Sequence, residues 1–183
     1  HISLFIPGSR ERILSHSPSG KVPCLNDHGV VVWDSLAIGE YLAEKRPGLL
    51  PADPVARAMA RSVTAEMHSG FQNLRSRMPM NVRKDYTGFG HSPEVDADIA
   101  RIVAIWNDCR ARFGAVGPYL FGRFSLADAA FAPVAFRFQT YAVKPAGAAG
   151  EYLATLLANP HMQEWATAAR AETESIPEED LYG

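Results

Sequence analysis

The chain has 183 residues, 47% of them apolar and 21% charged, with 18 basic and 20 acidic side chains for a net charge of −2. That balance fits a folded protein of one or two domains with a sizeable core, and it excludes a disordered chain. It also supplies no field for nucleic acid or an anionic membrane, and no run approaches the roughly 18 apolar residues of a spanning helix. Cys24, Cys109 and the six histidines fit no disulfide or metal-ligand spacing. Nothing reads as a signal peptide, so the expected setting is the cytoplasm with both thiols reduced.

Residues 1–6 are strand-like, and Pro7-Gly8-Ser9 interrupts them. A short helix is expected over residues 10–14, then a Ser/Pro/Gly loop to Gly20. Val22-Pro23-Cys24-Leu25 reads as a short strand, Asn26-Asp27-His28-Gly29 as a four-residue hairpin loop in which Gly29 takes φ > 0, and Val30-Val31-Val32-Trp33 as the returning strand. Asp34 or Ser35 then caps a helix whose apolar face is Ile38, Tyr41 and Leu42. Pro23 cannot donate to a ladder, so it marks an edge or an interruption. If the Val22–Pro23 bond is cis, Val22 can turn its N–H and C=O outward, where an extended peptide pairs with them. The helix start at Ser35 offers N–H groups, a positive dipole end and a hydroxyl to a carboxylate. Together these describe a site for a short peptide with a free carboxylate; taken singly, Asp34-Ser35 is equally explained as a cap. Cys24, following a strand proline, is expected to point into the core.

Residues 47–53 are dense in Pro and Gly and read as a linker. Asp53 caps a helix with Pro54 in its first turn, and Met59, Val63, Met67, Phe71, Leu74 and Met78 form one apolar stripe along a single long helix ended by Pro79. His68 lies off that stripe. Residues 79–92 form a loop long enough to be a lid or mobile link. Ser92-Pro93 opens a helix with Val95, Ile99, Ile102, Val103, Trp106 and Phe113 on its apolar side, and Cys109 beside Trp106 is explained by packing. Ser125-Leu126-Ala127-Asp128 is a capping box opening an almost wholly apolar helix, which belongs in a core and which Pro133 is expected to kink or disturb. Two shorter helices follow, the second behind Asn159-Pro160, and the acidic stretch from Glu172 to Asp180 is expected to be loose.

Gly20-Lys21-Val22-Pro23-Cys24-Leu25 and Trp33-Asp34-Ser35-Leu36-Ala37-Ile38-Gly39-Glu40-Tyr41-Leu42, with the all-helical run begun by a Ser-x-x-Asp box, resemble the glutathione transferase family over essentially the whole chain. The resemblance implies an α/β thioredoxin-like domain over residues 1–46, a linker at 47–53 and an all-α domain over 54–183. It implies that Val22, before a cis Pro23, pairs with the cysteinyl backbone of glutathione, that Asp34 and Ser35 hold its γ-glutamyl group, and that Lys21 stands near its glycyl carboxylate. Asp34 departs from the more frequent Glu by one methylene. Glu66-Met67-His68-Ser69-Gly70-Phe71 is similar to the matching helix of bacterial members, in which a His such as His68 can face glutathione. By family layout Phe71, Met78, Met80, Asn81 and Trp106 would supply the acceptor pocket, although each apolar one is equally explained as core.

The family's first strand and helix have no counterpart here, which implies roughly 35–45 further residues before His1, on the scale of one βα unit. The thiolate-stabilising Ser, Tyr or Cys belongs to that segment, so no residue of this chain is named as catalytic. The implied activity is a glutathione transferase that uses glutathione as co-substrate, without a metal, and promotes thiolate attack on a small electrophile. A homodimer to which the helix from Pro54 contributes is implied as well. Two alternatives stay open: a cysteine-dependent thiol-disulfide or reductive enzyme, and a non-catalytic interaction module.

Overall fold

In a computed structural model, residues 2–4, 6–176 and 180–182 are described. The chain divides into two compact units, residues 1–49 and 50–183. The first unit runs α1 (Ser9–Leu14), β1 (Cys24–Asp27), β2 (Val30–Trp33) and α2 (Ser35–Lys45). β1 and β2 form an antiparallel hairpin in the register Cys24↔Trp33, Leu25↔Val32, Asn26↔Val31 and Asp27↔Val30. The connecting loop is two residues, not four: His28 and Gly29 both take positive φ, 50° and 93°, as a type I′ turn requires. Asn26 and Asp27 therefore join the ladder, and the Asn26 side chain accepts a hydrogen bond from the Gly29 N–H at 3.0 Å.

The strand expected over residues 1–6 is not formed at residues 2–4 and 6, while His1 and Phe5 lie outside the described residues. A strand exists only against a partner ladder, and β1 and β2 pair with each other alone among the described residues. α2 has no buried residue, and polar contacts tie it to the hairpin. The Tyr41 hydroxyl donates to Asp27 Oδ2 at 2.9 Å, the Lys45 ammonium donates to the same oxygen, and Lys45 also lies over the Tyr41 ring. The Lys45 hydrogen bond holds the Asp27 carboxyl below its ordinary pKa, with the Tyr41 bond adding to it, and the bond to Asp27 raises Lys45 in return.

The second unit is helical: α3 (Pro54–Ser69), α4 (Gln72–Arg77), α5 (Pro93–Phe113), α6 (Leu126–Thr140), α7 (Gly147–Leu157) and α8 (Pro160–Ala171). α3 packs on α6, α4 on α5, and α7 on both α5 and α6. The apolar stripe from Val63 to Met78 is buried as expected, but it spans two helices. The chain breaks at Gly70, and Phe71 takes φ 60°. A Cβ on Gly70 would stand 2.6 Å from the Glu66 carbonyl oxygen, so this break needs glycine. Arg75 caps the broken end, donating from Nε to the Gly70 carbonyl at 2.9 Å and from its guanidinium to the Met67 carbonyl.

Trp106 is fully buried at the centre, its ring 5.0–5.7 Å from Tyr152, Phe138 and Phe131. Side chains of this size each contribute about 1.5–3 kcal/mol or more through burial. The capping box is present: Asp128 accepts from the Ser125 N–H at 2.8 Å, the Ser125 hydroxyl at 2.9 Å and the Leu120 N–H at 3.1 Å. Burial pushes the Asp128 carboxyl up, and those bonds offset the rise only in part. α6 runs unbroken through Pro133. The described parts of the acidic tail are not loose, since residues 172–174 and 180–182 dock on the loop between α4 and α5; residues 177–179 lie outside the described residues.

Candidate functional site

The hairpin register brings the two halves of the sequence motif together. Cys24 and Trp33 are partners across the ladder, so Pro23, one residue before Cys24, and Asp34, one residue after Trp33, leave the hairpin at the same end. Paired residues in an antiparallel ladder have Cα atoms about 4.5–5.5 Å apart, which places Val22-Pro23 beside the start of α2. The Val22–Pro23 bond is cis. The Val22 side chain is 60% exposed, and among the described residues its N–H and C=O have no backbone hydrogen-bond partner. An extended peptide can therefore add to this edge.

Asp34 is the N-cap of α2 and Ser35 its first residue. The Asp34 side chain accepts from the Leu36 N–H at 2.9 Å. Its backbone sits at φ 73°, ψ 130°, a region costing a non-glycine residue about 1–3 kcal/mol and found mostly at sites where surrounding structure enforces it. The result is an acidic side chain, a hydroxyl and a positive helix end within two residues, a set whose charges can suit both an ammonium and a carboxylate. Lys21 is exposed next to Val22, with its backbone N–H bonded to the Ser19 hydroxyl at 3.2 Å. The backbone strain at Asp34 had no signal in the sequence; Asp merely tolerates positive φ better than most residues.

Cys24 is half-buried rather than in a core, and its thiol donates to the His16 carbonyl at 3.4 Å. His68 lies in the last turn of α3, in the second unit. Phe71, Met78 and Trp106 are buried in that unit's core, while Met80 and Asn81 are partly buried. The Asn81 side-chain N–H donates to Asp180 at 2.6 Å, and its side-chain oxygen accepts from the Arg83 N–H at 3.0 Å. Burial pushes the Cys109 thiol up to about 12, leaving it protonated and inert. Among the described residues no cluster of three His, Cys, Asp or Glu is placed to hold a metal ion, and no helix is long and apolar enough to cross a membrane.

Comparison with known proteins gives the family and the fold. The sequence profile of the glutathione S-transferase N-terminal domain matches residues 2–45, and that of the C-terminal domain matches residues 90–168. The chain belongs to the glutathione S-transferase family, and its fold is a thioredoxin-like domain followed by an all-α domain. A probable maleylacetoacetate isomerase of Caenorhabditis elegans is 36% identical over 92 residues, 49% of this chain and 43% of that protein. A rat maleylacetoacetate isomerase is 41% identical over 68 residues, 36% of this chain and 32% of that protein. The matched stretches thus span less than half the length of these relatives. Among solved structures, a theta class glutathione S-transferase from Xanthomonas axonopodis pv. citri, with glutathione bound, has a TM-score of 0.63 at 24% identity, covering 88% of this chain and 80% of that one. A glutathione transferase homolog from Burkholderia, also with bound glutathione, has a TM-score of 0.62 at 22% identity, covering 91% and 80%.

Proposed function

We propose that this protein binds glutathione at the open end of the hairpin and promotes attack of the glutathione thiolate on a small electrophile. The observation that carries the reading is the convergence of Val22-Pro23 with Asp34-Ser35 through the Cys24↔Trp33 register. In this reading the Val22 backbone pairs with the cysteinyl backbone of glutathione. Asp34 and Ser35 take the γ-glutamyl end and Lys21 the glycyl carboxylate. His68 belongs to the other unit, and the proposal stands on the first unit's residues alone.

A thiol of pKa near 8.5 is only a few per cent thiolate at neutral pH, and lowering that pKa by about two units makes the thiolate the majority species. The thiol proton leaves to solvent, and the ionised sulfur forms a bond to an electrophilic carbon. As it does so, either a leaving group departs with its bonding pair or a π bond opens and its pair moves onto the conjugated group. Two isomerases among the relatives favour a reversible form of this step. Addition across a carbon–carbon double bond leaves a single bond that rotates, and expulsion of the thiolate restores the double bond. A cytoplasmic location and a homodimer accompany the reading.

The test is calorimetry with glutathione. Ser35→Ala removes a charge-assisted hydrogen bond of about 1.5–3 kcal/mol, so affinity falls roughly ten- to hundred-fold. Asp34 remains as the helix cap, so α2 persists in the variant. Unchanged affinity would leave Ser35 with no part in binding and remove the main support for the reading.

A further inference from the structure

The loop between α4 and α5 has no regular structure of its own, yet it is held from two directions. From α6, Arg137 Nε donates to the Met78 carbonyl at 2.8 Å, the Thr140 hydroxyl to the Asn81 carbonyl at 2.7 Å and the Tyr141 hydroxyl to the Pro79 carbonyl at 3.2 Å. The Tyr86 N–H returns a bond to the Thr140 carbonyl at 2.8 Å. From the C-terminal segment come different contacts. The Arg83 guanidinium donates to the carbonyls of Glu172 and Glu174 at 2.9 and 3.1 Å, and the Asn81 amide donates to Asp180 at 2.6 Å. The Tyr182 hydroxyl donates to the Arg77 carbonyl at 2.7 Å. Its ring packs 5.0 Å from Phe89, 5.4 Å from Tyr86 and 6.1 Å from Tyr141.

We propose that residues 172–174 and 180–182 act as a strap that orders residues 83–90, and that their release is a local opening separate from unfolding of the helices. The two sets of contacts divide the loop. The α6 bonds reach the backbone of residues 78–81 and Tyr86, whereas the Arg83 side chain is held by the tail, and half-exposed Phe89 packs between Tyr86 and Tyr182. Charge favours the docked state, since the Arg83 guanidinium lies on the backbone of a stretch that carries Glu172 and Glu174. Among the described residues of the tail, Tyr182 packs partly buried against the core while Leu181 is exposed, as in a segment that opens at low cost. Release also uncovers the Asn81 amide, a hydrogen-bond donor otherwise taken by Asp180. None of this depends on the glutathione reading.

Hydrogen exchange measured by mass spectrometry on the full chain tests the strap. In Tyr182→Ala, amides of residues 83–90 other than Tyr86, which α6 holds, are expected to exchange about ten-fold faster, as loss of a ring contact and a hydrogen bond implies. Trypsin cleavage after Arg83 and Lys84 rises in step, while α5 and α6 keep their protection. Asp180→Ala shifts the same amides in the same direction by less. An unchanged loop in both variants overturns the proposal, and so does equal loosening of α5 and α6, which makes the tail a general brace.

Discussion

Asp34 holds a conformation, φ 73° and ψ 130°, that only glycine adopts without cost. As a helix cap, glycine is worse than aspartate by only a few tenths of a kcal/mol, whereas relief of the strain is worth about 1–3 kcal/mol. Stability alone would therefore favour glycine here. Asp34→Gly is expected to leave stability in urea unfolding equal or higher, while glutathione affinity falls about ten-fold through the lost charged acceptor. A variant less stable than the parent, with full affinity, would make Asp34 a structural residue. The cap was legible because a short side-chain acceptor immediately precedes an apolar-periodic run. The strain was not, because it arises where β2 hands over to α2, and that junction is set by the hairpin register.

At the scale of elements, the Asp27–Lys45 pair fixes α2 to the hairpin and gives it a pH dependence. Asp27 is depressed in the folded state, so its contribution is present above the ordinary carboxylate range and is lost as pH falls through its folded value. Lys45 is raised, so its share is present below the ordinary lysine range and is lost as pH rises through its folded value. Both groups are at the surface, so salt screens the effect. NMR titration of the Asp27 carboxyl should find its pKa moved up towards the ordinary value in Lys45→Ala; an unmoved pKa would assign the shift to Tyr41. This pairing spans a turn and a helix and left no mark in the sequence. Nor was the break between α3 and α4 readable. The stripe Met59 to Met78 keeps helical spacing through Gly70, and the chain stops and restarts there because Gly70 approaches the Glu66 carbonyl and Arg75 bonds the Met67 and Gly70 carbonyls. The capping box at Ser125 and the start at Ser92-Pro93 were readable, since both depend on contacts within one turn.

For the whole molecule, the two units differ in how they are held. The second has a contiguous core around Trp106, whereas Val22, Val30 and Trp33 of the first are among the exposed large apolar residues. Closed symmetric pairing is the commonest assembly of soluble proteins, and a homodimer is expected in sedimentation equilibrium at micromolar concentration; a species with the mass of one chain would contradict it. The central claim, that the end of the hairpin is a glutathione site, is tested most directly by NMR titration of the 15N-labelled protein with glutathione up to about 10 mM. The account predicts saturable shifts of the Val22, Cys24, Ser35 and Leu36 amides with one common dissociation constant. Saturation without movement of these four, or no saturable shift at all, would contradict it.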